Sequence, residues 1–492
     1  MMLTKPRSKS LPAFGFLLGL ILTVTPAPLS AQIRREEYVA RRDSLAARLG
    51  EGVVLAFGGV TPTTDFGPFY QLPAFRYLTG YLHPNAVLVL VITHGRGEGT
   101  VFVNTTAPRR TLYYGSEPDS ATVARDLGLA SRPLDQLEAV IGSLAATGAS
   151  FHELRDFAAA DFATQDSLTR GGQFVKRLKA RYPGLTVNNA HPVVDQLRAR
   201  KSDAELTLIR KAVEITNEGH LELMRRIEPG MYEYDLQAII EYTFRRGGAE
   251  RPSYGSIVGS GPKSLQLHYM TDRRRMEPGE VVVVDAGAEY QGYAADVTRT
   301  LPVSGAFTPE QRAVYQVVRD AQAAAERNSV AGRTRQEALD SSIAVRAAGL
   351  AALGIVESAE ATFDPPWPTP CDQSPWNCRQ VMLFAIHGIT HGIGLEVHDP
   401  MQAYDDEVFK VGDAFTIEPG LYISPALLDI LPDTPKNRAF ANRVRAAVTR
   451  YQNTGIRIED SYLISERGLE RLSLVPRDLE EIEALTRRRP MP

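Results

Sequence analysis

An apolar segment with two aspartates lies just past the middle of the chain: Val281-Val282-Val283-Val284-Asp285-Ala286-Gly287, then Ala288-Glu289-Tyr290-Gln291-Gly292-Tyr293, then Ala294-Ala295-Asp296-Val297-Thr298-Arg299-Thr300. Four consecutive valines predict a buried β-strand, and such a strand should not end in a carboxylate that lacks a partner. Asp296 follows in a second β-prone segment, and Gly292 suits a hairpin between the two. A hairpin can bring both aspartates together, where two buried acids need a cation or a shared proton. The alternative is one turn aspartate and one solvated aspartate on an edge strand, and this stretch alone leaves both interpretations open.

The length and charge of the chain limit its class. A chain of 492 residues predicts two or three domains. Hydrophobic residues make up 43% and charged residues 23%, as in globular proteins. The net charge of −3 gives no electrostatic support for binding nucleic acid. We therefore interpret basic clusters such as Arg273–Arg275 and Arg487–Arg489 as solvated surface.

The N-terminus has the pattern of an export signal. The basic residues Lys5, Arg7 and Lys9 precede an apolar run from Leu11 to Val24, and small residues follow up to Ala31. The run is short for a transmembrane helix. We expect a signal peptide over residues 1–31 and a secreted or periplasmic protein without stable membrane anchoring. An uncleaved membrane anchor is the alternative.

The two cysteines lie close together, at Cys371 and Cys378, in a segment rich in proline and tryptophan. In an exported protein such a pair favours a disulfide that closes a small loop. Two free thiols are the alternative. Two cysteines alone are too few for a structural zinc site.

Strands alternate with helices up to about residue 195, which predicts an α/β domain. Beyond it, Ser202-Asp203-Ala204-Glu205 fits a capping box at the start of a long amphipathic helix. Thr308 and Pro309 fit the N-cap and first position of another helix. The last third is rich in predicted strands, over residues 414–418, 422–424, 455–459 and 462–465. Residues 425–454 are predicted as a loop insertion with some helix.

Three of the nine histidines, His387, His391 and His398, lie within one glycine-rich segment. Glycines allow the backbone to come close to a ligand. A single histidine on an apolar face is usually structural, whereas three in such a segment favour a functional site.

Two further carboxylates, Glu418 and Glu459, lie in otherwise apolar predicted strands. The alternative for each is a salt bridge on a surface strand. Together with Asp285, Asp296 and one histidine, they give four carboxylates and an imidazole. This set suits two divalent cations such as Mn²⁺, Co²⁺ or Zn²⁺, which together can activate a water molecule. It indicates a hydrolase of the aminopeptidase type.

The chain resembles the proline-specific pita-bread metallopeptidases, above all the Xaa-Pro aminopeptidases (aminopeptidase P). The resemblance rests on the motifs Val-Asp-Ala-Gly at Asp285, Ala-Asp-Val-Thr-Arg-Thr at Asp296, His-Gly-Ile-Thr-His-Gly-Ile-Gly at His391, Ile-Glu-Pro-Gly at Glu418 and Arg-Ile-Glu-Asp at Glu459. It implies an N-terminal creatinase-like α/β domain over residues 32–197. It also implies a pita-bread catalytic domain with a strongly curved antiparallel sheet over residues 198–483, followed by a tail over residues 484–492.

The resemblance also implies two divalent metal ions, Mn²⁺ in the first place, with Co²⁺ or Zn²⁺ as alternatives. Asp285, Asp296 and Glu459 would bind one ion, with Asp285 bidentate. Asp296 and Glu459 would bridge to the second ion, which His391 and Glu418 would complete. Glu418 would also be the general base.

On the substrate side, the resemblance implies roles for three histidines and two other polar residues: His268, His387, His398, Arg457 and Tyr422. It also places Thr298 beside the metals. One departure is Ala74, where the family often has an acidic residue, which puts contacts from the N-terminal domain to the substrate in doubt. The Cys371–Cys378 loop and residues 425–454 are additions that we expect to rim the cleft.

Together with the N-terminal signal pattern, the resemblance predicts an exported dinuclear aminopeptidase, a homo-oligomer (dimer or tetramer), that acts on peptides with proline at the second position. Xaa-Pro dipeptidase (prolidase) is the alternative, because it uses the same five ligands. A metal-free creatinase-like hydrolase or binding protein is a third hypothesis. All five ligand positions are filled here, which argues against the third.

Overall fold

A computed structural model of the chain describes residues 33–61, 67–104, 111–113, 115–154, 170–372, 375–400 and 408–487. The predicted signal peptide over residues 1–31 and the last part of the predicted tail lie outside these residues. Across the described ranges, no helix is both long enough and apolar enough to cross a membrane.

The first half of the chain forms a six-stranded mixed sheet with the order β4-β3-β2-β1-β5-β6. Its strands are β1 Gly52–Phe57, β2 Val87–Thr93, β3 Arg96–Val103, β4 Ala130–Pro133, β5 Phe151–Leu154 and β6 Val187–Asn189. Its helices are α1 Arg35–Leu49, α2 Pro73–Thr79, α3 Ser120–Leu127, α4 Leu137–Ala146, α5 Arg170–Arg181 and α6 His191–Ala199. Successive side chains of β1 belong to two different hydrophobic clusters. Val53 and Leu55 are in one cluster, and Val54 and Ala56 are in the other. Because neighbouring residues of a strand point to opposite faces, both faces of the sheet are covered, as the α/β prediction requires.

The second half consists of short sheets surrounded by helices. Its strands are β7 Arg251–Pro252, β8 Ile257–Ser260, β9 Val281–Asp285, β10 Ala288–Tyr290, β11 Tyr293–Ala294, β12 Thr298–Pro302, β13 Ala414–Ile417, β14 Gly420–Ile423, β15 Thr454–Arg457, β16 Asp460–Ser465 and β17 Gly468–Arg471. Its helices are α7 Asp203–Arg226, α8 Glu233–Arg246, α9 Pro309–Asn328, α10 Arg335–Ala352, α11 Ala426–Asp429, α12 Pro435–Arg450 and α13 Leu479–Thr486. The recorded strand pairs of this half are antiparallel, and single bridges such as Thr298 to Glu459 join the sheets. This architecture confirms the predicted fold class.

The predicted helix starts are present. Ser202 accepts a hydrogen bond from the backbone N–H of Glu205, and the Glu205 side chain accepts one from the backbone N–H of Ser202. Thr308 caps α9 in the same way, with Pro309 at the first helical position. Such caps satisfy backbone donors that a helix start leaves unpaired, so both boundaries are set by local sequence.

The prediction for residues 425–454 was incomplete, because most of this segment is helical. Thr434 caps α12, and its side chain accepts a hydrogen bond from the backbone N–H of Asn437. Phe440, Val444 and Val448 recur at a spacing of four residues and are buried in the largest core cluster. The insertion is therefore a packed helix rather than a loop.

The cysteine pair is a disulfide, as predicted. Cys371 and Cys378 are bonded, with their Cα atoms 5.7 Å apart. In the same region, the guanidinium of Arg379 lies 3.5 Å from the centre of the Trp376 ring.

Candidate metal centre

The hairpin that carries the two aspartates is more elaborate than predicted. Asp285 ends β9 and pairs with Thr298 of β12. Asp296, predicted in a β-prone segment, lies in the gap between β11 and β12, because β10 and β11 form a second hairpin between the two aspartates. The backbone at Gly287 lies against the backbone at Ala295, and a Cβ atom added to Gly287 would lie 1.8 Å from the carbonyl oxygen of Ala295. Only glycine allows this approach, which returns Asp296 to the end of β9.

Tyr254 joins the two aspartates. Its hydroxyl lies 2.5 Å from Oδ1 of Asp285 and 2.5 Å from Oδ1 of Asp296. One hydroxyl proton can serve only one of these oxygens at a time. Burial, together with Glu459 and Asp285, holds the pKa of Asp296 well above its usual range. The pair therefore needs further positive charge or a shared proton, as the sequence predicts.

His391 lies at the centre of the remaining carboxylates. Its Nε2 atom is 3.5 Å from Oδ2 of Asp296, 3.5 Å from Oε1 of Glu418 and 3.6 Å from Oε1 of Glu459. One ligand atom from each of Asp296, His391 and Glu459 lies within 4.8 Å of the others. The structure thus gathers predicted ligands from four separate segments.

Backbone contacts fix where these side chains point. The backbone N–H of Glu418 donates to the carbonyl oxygen of Ile389 at 2.8 Å, which ties Glu418 to the histidine segment. The backbone N–H of Glu459 donates to the carbonyl oxygen of Thr298 at 3.0 Å, and the Thr298 hydroxyl donates to Oε2 of Glu459 at 2.7 Å. The predicted place of Thr298 beside the ligands therefore has a geometric reason.

The donor set fits divalent metal ions. Oε1 of Glu459 is buried and has no hydrogen-bond partner within the described residues. Burial and the charge of Glu459 raise the pKa of Glu418 to about 8. Buried carboxylates with an unused oxygen favour a cation of high charge, and four carboxylates with one imidazole suit Mn²⁺, Co²⁺ or Zn²⁺. The two oxygens of Asp285 face Tyr254 and, at 2.7 Å, Nη2 of Arg457.

Three polar side chains line one side of this centre. Nη1 of Arg457 donates to the Tyr422 hydroxyl at 2.7 Å, and that hydroxyl lies 2.9 Å from Nε2 of His387. Nδ1 of His387 is 3.7 Å from Oε2 of Glu418. Burial, Arg457 and Arg346 lower the pKa of His387 to about 3, so its imidazole is neutral at neutral pH.

His398 lies beside His391. The ring centre of His398 is 4.1 Å from that of His391. Burial and the charges of His391 and His268 lower the pKa of His398 to about 4. His268 also contributes to the lowered pKa of His387. Nη2 of Arg457 lies 3.4 Å from the carbonyl oxygen of Leu267, the residue before His268. The structure thus brings Asp296, His391, Glu418 and Glu459 to one centre, and Asp285 is joined to it through Tyr254.

Tyr254 is not among the residues that the sequence predicts for this site. Its position between Asp285 and Asp296 depends on chain separations of 31 and 42 residues, for which the sequence offers no local signal. The fold and the site together define a metal-dependent hydrolase.

Comparison with known proteins identifies the family. The family model described as metallopeptidase family M24 matches residues 207–466, and the one described as aminopeptidase P, N-terminal domain, matches residues 38–152. The chain belongs to metallopeptidase family M24, which confirms the resemblance inferred from the motifs, and it is a metallopeptidase with an aminopeptidase P-type N-terminal domain.

Two of the relatives align with almost the whole chain and a third with about three fifths of it. The Xaa-Pro aminopeptidase of Escherichia coli (strain K12) is 32% identical, over 92% of this chain and 98% of its own. A zinc-substituted E. coli aminopeptidase P in complex with product matches in structure with a TM-score of 0.74 and 31% identity, over 92% of this chain and 98% of its own. The Xaa-Pro dipeptidase of Homo sapiens is 31% identical, over 62% of this chain and 64% of its own.

Proposed function

We propose that this protein is an exported dinuclear metallo-aminopeptidase that hydrolyses the bond between an N-terminal residue and a following proline. The observation that carries the proposal is the convergence of Asp296, Glu418 and Glu459 on His391. It occurs in a chain that aligns along 92% of its length with a Xaa-Pro aminopeptidase.

Two divalent ions, Mn²⁺ in the first place, would be held by the five predicted ligands: Asp285, Asp296, His391, Glu418 and Glu459. When bound, such ions would lower the pKa of a water molecule and stabilise negative charge on the carbonyl oxygen under attack. Glu418 would take the proton of the attacking water, and its position among the ligands and its greater exposure than Glu459 support this role. A positioned carboxylate can then deliver that proton to the leaving proline nitrogen.

The residues on the substrate side would bind and orient the peptide. His387, neutral and held by Tyr422, can donate to the oxygen that becomes negative in the transition state. His398, which lies 4.1 Å from His391 between ring centres, and His268 would contact the proline end. Arg457 keeps Asp285 and Tyr422 in place, so that removing its guanidinium would free both.

Export is supported by the N-terminal pattern and by the Cys371–Cys378 disulfide, because disulfides persist mainly in oxidising compartments. The signal peptide over residues 1–31, the periplasmic or secreted location and the homo-oligomeric state belong to this proposal. Mass spectrometry of the mature N-terminus and size-exclusion chromatography with light scattering test them.

Xaa-Pro dipeptidase is the alternative function, since a human protein of that name is 31% identical over 62% of this chain. The longer alignment with the aminopeptidase favours the first function. A metal-free creatinase-like hydrolase or binding protein is a third hypothesis, and the buried, oxygen-rich ligand set argues against it.

A peptide-length series tests the proposal. The protein, loaded in turn with Mn²⁺, Co²⁺ or Zn²⁺, is incubated with Ala-Pro, Ala-Pro-Ala and a longer Ala-Pro peptide, and with Ala-Ala-Ala as the control. We expect release of alanine from the tripeptide and the longer peptide and none from the control. Cleavage of Ala-Pro alone would establish the dipeptidase, and a protein that retains no metal would favour the third hypothesis.

A further inference from the structure

Residues Ala288–Ala294 form the tip of the hairpin between Asp285 and Asp296. This tip of seven residues has little stability of its own. Two residue pairs, Glu289 with Ala294 and Tyr290 with Tyr293, join its strands, and β10 pairs on its other side with the short strand β7. Gln291 and Gly292 both have positive φ, at 46° and 78°, as in the tight turns that favour hairpins. A two-stranded hairpin of this length is not stable alone. Its position, and with it the separation of the two aspartates, must be set by contacts with the rest of the chain.

Arg76 of α2, in the N-terminal domain, contacts this tip directly. Its Nη2 atom donates to the carbonyl oxygen of Gln291 at 2.5 Å. A Cβ atom on Gly292 would lie 2.2 Å from Nη1 of Arg76. The guanidinium therefore occupies the space that a side chain would need at the turn.

A second contact holds β11. The Tyr293 hydroxyl donates to Oε1 of Glu205 at 3.0 Å, and Nη2 of Arg41 lies 3.3 Å from the same oxygen. Arg41 belongs to α1 and also stacks on Tyr77, 4.2 Å from the ring centre. These three polar side chains, Arg41, Glu205 and Tyr293, are buried, which makes their pairing costly to break.

A third contact holds β10. Nη2 of Arg251 lies 2.9 Å from Oε2 of Glu289, and the Arg251 guanidinium stacks on Tyr70 of the N-terminal domain, 3.8 Å from the ring centre. Tyr70 thus supports the tip from the side of β10, whereas Arg76 supports it at the turn.

The strands of the tip are packed in the core, where Ala288, Tyr293 and Ala294 are buried, whereas the contact of Arg76 with the turn is polar. A cavity of about 190 Å³ lies between the domains and is lined by Tyr38, Arg76, Gln291 and Tyr293, among others. The cavity borders the turn itself, so loss of the hydrogen bond from Arg76 to Gln291 leaves that side of the turn without a neighbour in contact. A substitution of Arg76 should therefore shift the turn.

We propose that Arg76 is a positioning residue through which the N-terminal domain holds the tip and so sets the geometry of Asp285 and Asp296 for metal binding. The inference rests on the proposed metal centre and extends it to a domain that contributes none of the predicted ligands. Residues that orient metal ligands commonly change metal affinity by about 10–100-fold when they are removed.

The test compares metal binding by the full-length wild-type chain with that of Arg76→Gln, Tyr70→Leu and Arg76→Lys, and of the control Arg48→Gln. Arg48 is an exposed arginine of α1 whose Nη1 donates to Oε1 of Gln196 at 2.9 Å. Titration calorimetry of the metal-free proteins with Mn²⁺ should give a dissociation constant raised about tenfold or more in Arg76→Gln and Tyr70→Leu. Arg76→Lys should recover part of the loss, and Arg48→Gln should stay within about twofold of wild type.

The visible spectrum of the Co²⁺-loaded proteins provides a second readout, because it reports ligand geometry rather than folding. It should change in Arg76→Gln and Tyr70→Leu and stay unchanged in Arg48→Gln. Equal Mn²⁺ affinity and equal Co²⁺ spectra in all variants would overturn this inference while leaving the proposed function intact. A wild-type protein that binds neither ion would instead overturn the proposed metal centre, and this inference with it.

Discussion

Nη2 of Arg198 lies 3.0 Å from Oδ1 of Asp399. Arg198 belongs to α6, the last helix before the catalytic half, and Asp399 directly follows His398. The second oxygen of Asp399 accepts a hydrogen bond from the backbone N–H of Leu395 at 2.5 Å. Lys201 donates to the carbonyl oxygens of Arg198 and Asp399, at 2.7 Å and 3.3 Å. The segment that presents His398 is therefore fixed from the junction of the two halves.

Replacement of Arg198 by methionine should lower kcat/KM for an Xaa-Pro tripeptide by about 10–100-fold, because a misplaced contact residue costs roughly that much. The change leaves Asp399 buried without its partner, whereas Arg198→Met combined with Asp399→Asn removes both charges. The double variant should therefore be no worse than Arg198→Met. The control is Arg210→Met, which breaks an exposed pair with Glu470 and should leave activity near wild type. Additive losses in steady-state kinetics would contradict the coupling.

Glu418→Gln should reduce kcat by about 10²–10⁴-fold, the usual contribution of a general base. The amide keeps the shape of the side chain, so the melting temperature should stay close to that of wild type. Glu466→Gln changes an exposed glutamate and serves as the control. Near-normal turnover in Glu418→Gln would remove this residue from its assigned role.

Asp296→Ala should abolish binding of both metal ions, since Asp296 lies between His391 on one side and the Tyr254–Asp285 pair on the other. Elemental analysis after dialysis measures the metal content per chain. Asp320→Ala, on the exposed side of α9, is the control and should retain both ions. If Asp296→Ala kept its full metal content, Asp296 would be an ordinary turn residue.

The raised pKa of Asp272 predicts that the stability of the protein depends on pH. Burial, with Glu233 and Glu241 nearby, raises the pKa of Asp272 to about 7 from 3.8. Between these values the folded protein keeps a proton that the unfolded chain has lost, so the free energy of unfolding falls as pH rises and the loss is complete above about pH 7.

Asp272→Asn imitates the protonated form and can still accept the hydrogen bond that Val258 N–H donates to Oδ1. Its melting temperature should exceed that of wild type at pH 8, and the difference should shrink towards pH 4. Thermal unfolding monitored by circular dichroism from pH 4 to pH 9 gives both curves. Parallel curves would mean that Asp272 does not titrate in this range.

Local sequence predicted those parts of the structure that depend on near neighbours. The valine strand, the cap at Ser202 and the disulfide at Cys371 each involve residues less than eight positions apart. The ligand set was inferred from residue type and motif order, because metal chemistry restricts which side chains can serve.

The parts that sequence did not predict depend on distant partners. Helix α12 has a cap at Thr434 and buried residues such as Phe440 and Val444, but its many arginines obscure the apolar face, and its packing partner lies elsewhere in the chain. The contact of Arg76 with Gln291 spans 215 positions. It could not be predicted without the relative placement of the two domains.

Because of the Cys371–Cys378 disulfide, the number of free thiols in a molecule shows whether it folded in an oxidising compartment. The chain has two cysteines, and both are in this bond. A molecule folded in an oxidising compartment has no thiol to react with a maleimide under denaturing conditions, whereas one retained in the cytoplasm gains two labels. Under the proposed export, the mass of the labelled chain from whole cells therefore reports the fraction that left the cytoplasm, independently of any assay of the enzyme.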